Sequence, residues 1–404
     1  MTEANRNSTV ESAASGPIRL PRRDYFLLPL MSLVTILVMV GGSETLARMI
    51  TTSHRRNQCQ IEDPIAGDRY KPNCTARLKN LEGPWATYHY NECGYRSATS
   101  CGPKPPGTVR IAVIGSSVSV GAWVPYEETF FARTAGELSR SCNRPVDVQN
   151  LGVTGLTPIS VYHRVQDVLA LKPDVVVYLV TPWDITRQID PEELAERNNP
   201  TRIPSRPAVV IKPNLPDRSR AWLLAQYFLF QNRDMFLGTM SRGDDYLLQP
   251  FTAELQQQYA DFDLIIGDLT DKLQGGGIPL VLVPVPSRKE AAFLSSRELP
   301  AHVDPFAFGR EVVRIASKHG AGYVDLMGPF SRIPHSEKLY YVVDGHPNAD
   351  AQKVIAQNLL QKLQDGSIPA FSRDAVQNTA AKKRTNSQTR ILSRRNDLRL
   401  KEFN

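Results

Sequence analysis

From Val109 to about residue 365, apolar runs rich in β-branched residues alternate with stretches of helical periodicity, and this alternation restricts the fold more than any other feature. Strands that alternate with crossover helices form a mostly parallel sheet covered by helices on both faces. The sequence therefore predicts a three-layer α/β/α domain with a mostly parallel five-stranded sheet of the flavodoxin-like kind.

Five strands and five helices can be placed on this pattern. The predicted strands are Val109–Ile114, Val146–Leu151, Val175–Val180, Leu280–Val285 and Tyr323–Leu326. The predicted helices are Glu128–Arg140, Pro158–Leu171, Ala253–Gln274, Pro305–His319 and Ala349–Gln364. Proline suits the first helical turn, as at positions 158 and 305.

An insertion of about residues 185–250 interrupts this rhythm. It begins polar and proline-rich and then carries Ala221–Phe230, ten apolar-leaning residues that are too few to span a bilayer. We expect a helix that packs by its apolar face. A lid or substrate platform near the carboxyl edge of the sheet, or contact with a membrane surface, are the functional alternatives.

Residues 25–42 form an uncharged apolar segment, close to the length of about 20 residues that spans a bilayer. Arginines flank it on both sides, so charge bias barely sets its orientation. No clear small-x-small cleavage site follows it. We interpret it as an uncleaved transmembrane signal anchor with the bulk of the chain outside the cytoplasm. A cleaved signal peptide and a buried core helix are the alternatives.

All five cysteines lie between this segment and the first third of the α/β domain: Cys59, Cys74, Cys93, Cys101 and Cys142. Their clustering beside an anchor suggests disulfides in an oxidising compartment. Cys59–Cys74 and Cys93–Cys101 are plausible local pairs that leave Cys142 over, although spacing does not determine connectivity. The absence of a Cys-x-x-Cys motif disfavours a zinc site, the alternative. Simple buried thiols are a further alternative.

The net charge of +7 is concentrated at the end of the chain, since residues 371–404 hold nine Lys and Arg but only three Asp and Glu. The rest is nearly neutral, which argues against a nucleic-acid-binding core. We expect a disordered tail; contact with anionic lipid or polysaccharide is the alternative. The predicted segments are a disordered cytoplasmic N-terminus (1–24), the anchor (25–42), a Cys-containing cap or stalk (43–108), the α/β domain (109–366) and the basic tail (367–404).

Residues with catalytic potential fall in four loops, three of which follow predicted strands while the fourth precedes the last helix. They are Ser116 and Ser117, Gly152 and Gly155, Thr181 to Asp184, and Asp344 with His346. Ligands of open parallel sheets bind beyond the carboxyl ends of the strands. We therefore expect these loops to converge. A serine together with an Asp/His pair is the minimum set for nucleophilic acyl transfer.

At these loops the chain resembles the SGNH (GDSL-like) hydrolase superfamily over roughly residues 109–365. The first block of that family, Gly-Asp-Ser with a glycine a few residues on, reads here as the segment 115–117 with Gly121, so the resemblance makes Ser117 the nucleophile. The Asp and His of its fifth block match Asp344 and His346. Their spacing of two resembles that of membrane-associated, polysaccharide-modifying members.

The resemblance also assigns the oxyanion and substrate-binding positions. The oxyanion glycine of the second block matches Gly155, with Gly152 as the fallback. The third block, Gly-x-Asn-Asp, corresponds to residues 181–184, which places Trp183 at the position of the oxyanion asparagine and keeps Asp184. Ser116 replaces the family aspartate. Loss of one oxyanion donor costs on the order of 10²–10³ in rate, so either another donor substitutes or the catalyst is slow or specialised.

The sequence thus predicts a membrane-anchored serine esterase for O-acetyl groups of an extracytoplasmic glycan, with no cofactor or metal. His346 accepts the proton of Ser117, Asp344 orients the imidazole, and backbone N–H groups hold the oxyanion. Asp184 is expected to brace the loops, and Trp183 to pack or to stack on a sugar. An O-acetyltransferase, or a catalytically silent glycan-binding or assembly protein, is the alternative. The expected partners are an acylated polysaccharide or small ester and the membrane, and no nucleic acid.

Overall fold

The computed structural model describes residues 21–53, 57–187, 189–199, 219–239 and 242–371. Most of the predicted cytoplasmic N-terminus, residues 200–218 of the insertion and residues 372–404 of the basic tail lie outside the described residues.

The described strands form two small antiparallel hairpins and one five-stranded parallel sheet. The hairpin strands are β1 (Gln60–Asp63), β2 (Gly67–Tyr70), β3 (Thr75–Leu78) and β4 (Ala86–His89). The sheet strands are β5 (Val109–Gly115), β6 (Val146–Asn150), β7 (Val175–Val180), β8 (Leu280–Pro284) and β9 (Gly322–Tyr323). Their order in the sheet is β6-β5-β7-β8-β9, and every pairing is parallel. The predicted sheet is therefore confirmed.

Strand order places a topological switch point at β5. The chain runs from β5 to β6 on one side and then crosses back to β7 on the other side of β5. All residues of β5, β7 and β8 are buried, as expected for parallel strands covered on both faces. Crossovers that leave in opposite directions open a crevice at the carboxyl end of the strand between them. The segment after β5 lies at this crevice.

Fourteen α-helices are described. They are α1 (Asp24–Ile50), α2 (Ser117–Val120), α3 (Phe130–Cys142), α4 (Pro158–His163), α5 (Val165–Ala170), α6 (Pro182–Thr186), α7 (Pro191–Ala195), α8 (Arg220–Leu229), α9 (Arg233–Leu237), α10 (Ala253–Gly275), α11 (Arg288–Leu294), α12 (Ala307–Lys318), α13 (Met327–Ser331) and α14 (Ala349–Gln364). Helix α14 packs against α3, whereas α10 packs against α4, α5 and α12. Short 3-10 turns occupy Tyr126–Glu128, Arg242–Leu247, Ser336–Leu339 and Pro369–Phe371.

Several predicted boundaries are shifted by one or two residues, and three of the predicted elements differ for local reasons that the structure shows. The strand predicted at Tyr323–Leu326 pairs only over Gly322–Tyr323, because Asp325 accepts the Met327 N–H (2.9 Å) and turns the chain into α13. The helix predicted at Pro158–Leu171 breaks at Arg164, which has φ −87° and ψ 7°. The helix predicted from Pro305 begins at Ala307, because Asp304 caps the preceding turn through the Phe306 N–H (3.0 Å).

Residues 57–101, the N-terminal module, hold both hairpins and two disulfides. The disulfides join Cys59 to Cys74 and Cys93 to Cys101, as expected, and Cys142 is a free, buried thiol. Because two short hairpins bury little apolar surface by themselves, cross-links contribute strongly to the stability of such a segment.

Helix α1 is longer than the predicted segment 25–42 and is apolar enough to cross a membrane by length and composition. None of its most apolar stretch is buried, so it is not the core helix that was the alternative. A signal sequence near the N-terminus passes the same test.

The end of α1 is joined to α8. The Glu44 carboxylate accepts hydrogen bonds from Ser219 Oγ (2.8 Å) and from the backbone N–H groups of Arg220 (3.1 Å) and Ala221 (3.0 Å). A carboxylate at a helix N-terminus also interacts favourably with the helix dipole. The helix predicted around Ala221–Phe230 is thus present and packs on α1. Its exposed apolar side chains include Trp222 and Phe228.

Candidate active site

The turn between β5 and α2 presents Ser117 at the switch point. Gly115 has a φ of +128°, and a Cβ there would lie 2.2 Å from Ser119 Oγ and 2.9 Å from the Leu179 carbonyl oxygen. Only glycine therefore fits. The Ser119 hydroxyl donates to the Ile114 carbonyl (2.7 Å) and fixes the turn. Ser117 is the first residue of α2, directly beyond the carboxyl end of β5.

Ser117, His346 and Asp344 form one hydrogen-bonded chain. His346 Nε2 lies 2.7 Å from Ser117 Oγ, and His346 Nδ1 lies 2.5 Å from Asp344 Oδ1. An ionised carboxylate only accepts, so Nδ1 carries the proton and donates it to Asp344. In the neutral imidazole Nε2 is then an acceptor for the Ser117 hydroxyl. This tautomer is the one that a general base for a serine requires.

A tight turn explains how side chains only two positions apart can be hydrogen-bonded. Gly345 has a φ of +79°, its N–H donates to the Tyr341 carbonyl (2.9 Å), and the Tyr341 N–H donates to the His346 carbonyl (3.0 Å). The reversal at Gly345 brings the two side chains to the same side. Asn348 then caps α14 through the N–H groups of Asp350 and Ala351.

The Glu82 carboxylate, from the N-terminal module, holds the start of this turn. It accepts the backbone N–H groups of Val342, Val343 (2.7 Å) and Asp344 (3.3 Å). Burial raises the pKa of the Glu82 carboxyl above its ordinary value, against the opposing effect of these three donors. Three backbone donors on one carboxylate leave the Asp344 segment little freedom to move.

The same module holds two further segments of the site. The buried Arg96 guanidinium donates to the carbonyls of Val120 (2.6 Å) and Gly121 (2.9 Å), at the end of α2. The Tyr70 hydroxyl lies 3.0 Å from Thr154 Oγ1 and accepts the Thr154 N–H (3.1 Å), beside Gly155. The module therefore contacts the segments that carry the serine, the candidate oxyanion glycine and the Asp/His pair.

The two candidate oxyanion glycines have different surroundings. The Gly152 N–H donates to Asn150 Oδ1 (2.9 Å), so it is already engaged. Gly155 lines the cavity at Ser117, has a φ of +89°, and a Cβ there would meet nothing within 4 Å. We therefore retain Gly155 as the candidate donor and place Gly152 in a structural position.

Trp183 and Asp184 are neighbours on the short helix α6 but have different surroundings. Trp183 lines the cavity and is 45% exposed, with the Arg187 guanidinium 4.9 Å from its ring centroid. Arg187 Nη1 also donates to the Gly155 carbonyl (2.9 Å) and so ties these two loops together. Asp184 is buried, and its Oδ2 accepts the N–H and the hydroxyl of Thr181, both at 2.7 Å. Burial raises the pKa of Asp184 to about 6.

The cavity at Ser117 has a volume of about 420 Å³ and includes Trp183, Ser287, Tyr340 and His346 in its lining. Ser117, Gly155, Trp183, Asp344 and His346 all line it, so the predicted loops converge there. Within the described part of the chain, no group of three or more His, Cys, Asp and Glu side chains could hold a metal ion.

Sequence reasoning missed Glu82, Arg96, Tyr70 and Arg187. The first three lie in a segment without regular periodicity, far from the loops that they contact. No local pattern distinguishes Glu82 from other acidic residues, because its role depends on donors 260 to 262 residues away. Arg187 could have been found from the sequence, since it lies three positions after Asp184 in one of the four loops.

Several solved structures are similar to this chain at low identity. A lipase/acylhydrolase from Enterococcus faecalis is 11% identical, with 64% of this chain and 96% of that chain covered and a TM-score of 0.37. A lipase from a goat rumen metagenome is 13% identical, with 66% and 99% covered and a TM-score of 0.38. A two-domain esterase active on acetylated mannans, co-crystallised with mannopentaose, is 14% identical, with 64% and 49% covered and a TM-score of 0.36.

No curated protein matches the chain. The family model of the GDSL-like lipases/acylhydrolases, however, matches residues 113–354, more than half of the sequence. This match spans all four loops of the site and agrees with the resemblance drawn from their motifs. The chain therefore belongs to the GDSL-like lipase/acylhydrolase (SGNH) family and is a hydrolase that acts on ester bonds.

Proposed function

We propose that this hydrolase is a membrane-anchored serine esterase that removes O-acetyl groups from a glycan outside the cytoplasm. The observation that carries the proposal is the hydrogen-bonded chain from Ser117 through His346 to Asp344. The distances from the two imidazole nitrogens to Ser117 Oγ and to Asp344 Oδ1 are both hydrogen-bond distances. It lines a cavity at the topological switch point of the sheet, where open α/β sheets bind ligands.

The first half of the reaction acylates the serine. Ser117 Oγ attacks the ester carbonyl carbon while its proton passes to His346 Nε2, and Asp344 stabilises the resulting imidazolium. The negative charge on the carbonyl oxygen is met by the backbone N–H groups of Ser117 and Gly155. The tetrahedral intermediate collapses, the bond to the sugar oxygen breaks, and that oxygen takes the proton from His346.

The second half releases the acid. Water gives a proton to His346 Nε2 and attacks the acyl carbon, and the bond to Ser117 Oγ breaks as the serine recovers its proton from the imidazole. The products are acetate and the free sugar hydroxyl. The Arg187 contact with the Gly155 carbonyl supports this step by fixing the loop that carries the proposed oxyanion donor.

Three observations support an anchored enzyme with a glycan substrate. Helix α1 has the length and composition of a membrane span. Two disulfides near it suit an oxidising compartment. Trp183 presents a half-exposed aromatic face at the cavity, a surface on which a sugar ring can stack.

The proposal is tested by replacing the nucleophile. Ser117→Ala is expected to lower turnover of p-nitrophenyl acetate by on the order of 10³-fold or more, because the variant lacks the hydroxyl that attacks the ester. A fluorophosphonate should add one adduct to the wild-type protein, seen by intact mass spectrometry, and none to Ser117→Ala. Ser141→Ala, an exposed serine on α3, serves as the control and should behave as wild type. Wild-type turnover by Ser117→Ala would contradict the proposal.

A further inference from the structure

Two cavities meet at the Ser117–His346 pair. The first, the Trp183 cavity, has about 420 Å³ and contains Trp183 and Ser287 in its lining. The second, the Tyr88 cavity, has about 210 Å³ and also contains Ser117 and His346. Its remaining lining comes mainly from the N-terminal module, which supplies Asn57, Gln60, Tyr70, Leu78 and Tyr88. Ser117 and His346 therefore border both cavities.

An ester also has two sides. Its carbonyl carbon, the atom that Ser117 attacks, joins an acyl group to an alcohol group. When the carbonyl carbon is at Ser117 Oγ, these two groups point in different directions. Two cavities that share the nucleophile and the base can therefore each hold one half of the substrate.

The Trp183 cavity suits the alcohol half. It is the larger of the two, and Trp183 at its edge is 45% exposed. A sugar within a polymer continues beyond the reacting residue on both sides, so its cavity must open to solvent.

The Tyr88 cavity suits a small apolar group. Its aromatic walls are buried, with Tyr70 and Tyr88 each 2% exposed, whereas Asn57, Gln60 and Thr154 at its edge are more exposed. Two of its polar groups are already hydrogen-bonded: the Tyr88 hydroxyl accepts the backbone N–H of Trp123 (2.6 Å), and Asn57 Nδ2 donates to the Tyr90 hydroxyl (2.8 Å). These atoms gain little from a sugar, whereas the aromatic and aliphatic faces suit an acyl chain.

We propose that the Tyr88 cavity is the acyl pocket, and that the N-terminal module thereby restricts the enzyme to short acyl groups. A volume of about 210 Å³ lies below the roughly 300–1,000 Å³ of pockets that hold drug-sized ligands, so a long fatty acyl chain does not fit. This inference rests on the proposed function, because it takes Ser117 as the nucleophile.

The test compares kcat/KM for p-nitrophenyl acetate, butyrate and octanoate, which share one leaving group and differ only in the acyl chain. Ala122→Leu fills the Tyr88 cavity and should lower the butyrate-to-acetate ratio by about tenfold, the discrimination that one methylene group gives in an apolar pocket. Leu78→Ala enlarges the cavity and should raise the octanoate-to-acetate ratio by about tenfold. Trp183→Ala, the control in the other cavity, should leave both ratios unchanged.

Circular dichroism and thermal melting show whether each variant folds; where one does not, Leu78→Val or Ala122→Val replaces it, with a smaller shift in the same direction. Unchanged ratios in folded variants, or ratios that change only in Trp183→Ala, would overturn the acyl pocket. These outcomes are distinct from failure of the proposed function, which would appear as ester turnover that persists in Ser117→Ala.

Discussion

The α/β domain and the N-terminal module contribute to one site in different ways. The domain supplies the proposed reacting groups, each at the carboxyl edge of the sheet or before α14. The module supplies contacts that hold those loops, through Arg96 on α2, Tyr70 on Thr154 and Glu82 on the Asp344 turn. Sheet topology therefore decides which residues meet, whereas an irregular, cross-linked segment restricts how far they move.

The largest effect is expected from Asp344→Asn, which alters the domain side of the comparison. An asparagine amide would donate to His346 Nδ1, move the imidazole proton to Nε2 and remove the acceptor for Ser117. We expect kcat to fall by on the order of 10³–10⁴-fold with the fold intact. Steady-state kinetics on p-nitrophenyl acetate measures this. A loss of kcat smaller than that of any variant in the N-terminal module would contradict the distinction between groups that react and groups that hold the loops in place.

Removal of one cross-link tests the module by itself. The double variant Cys59→Ser/Cys74→Ser opens a loop with a sequence separation of 15, for which chain entropy gives a loss of about 3 kcal/mol in the free energy of unfolding. Urea unfolding monitored by fluorescence and by activity measures it. Cys142→Ala, which removes a thiol but no disulfide, is the control. An unchanged urea midpoint of unfolding would show that the stability of the module does not depend on this disulfide.

Glu82→Ala sharpens the comparison, because it removes a contact between the two regions. The Asp344 turn loses the acceptor of three N–H groups, and a displacement of about 1 Å at a catalytic group costs on the order of 10²-fold in rate. We expect kcat to fall by that factor while KM changes little. Glu82→Gln, which keeps one acceptor oxygen, should recover part of kcat.

Glu62→Ala, an exposed glutamate in the same module, should behave as wild type. A Glu82→Ala variant with a lowered melting temperature but wild-type kcat would show that Glu82 stabilises the fold without positioning Asp344.

The smallest expected effect concerns Asp184, whose hydrogen bonds to Thr181 lie wholly within the domain. Its folded-state pKa of about 6 is above the ordinary 3.8, so the neutral carboxyl stabilises the fold. That contribution is complete below pH 3.8 and is lost as the pH rises through about 6. Asp184→Asn stays neutral and should flatten the pH dependence of the melting temperature in this window. An identical slope of melting temperature against pH in the wild type and in Asp184→Asn would contradict a buried carboxyl that binds a proton in this pH range.

The two regions also differ in how far their structure follows from the sequence. The fold of the domain could be predicted because buried parallel strands require continuous β-branched runs, such as Val175–Val180. The helices between these strands also show a 3.6-residue period. The predicted boundaries in the domain are wrong where a single polar side chain ends an element, as Asp325 does after β9. The strand ends also identified the loops that the structure brings together around Ser117.

The module could be predicted only at its cysteine pairs, which are close in sequence. Its strands are four residues long and each holds at most two apolar residues, so no apolar run marks them in the sequence. The contact of Glu82 with the Asp344 turn follows from tertiary packing, and no propensity or spacing encodes it. For the same reason the Tyr88 cavity, which needs both regions, was not foreseen.

The Glu44 contact with α8 has a consequence for where the enzyme can work. A catalytic domain joined to its anchor by a slack linker samples a volume set by linker length. Here the end of α1 is docked on the domain through Ser219 and the first N–H groups of α8. On an anchored protein, that docking would hold the catalytic serine at one height above the lipid. Under the proposed function, acetyl groups on polymer strands that pass at that height would be removed, and those farther out would have to diffuse inward.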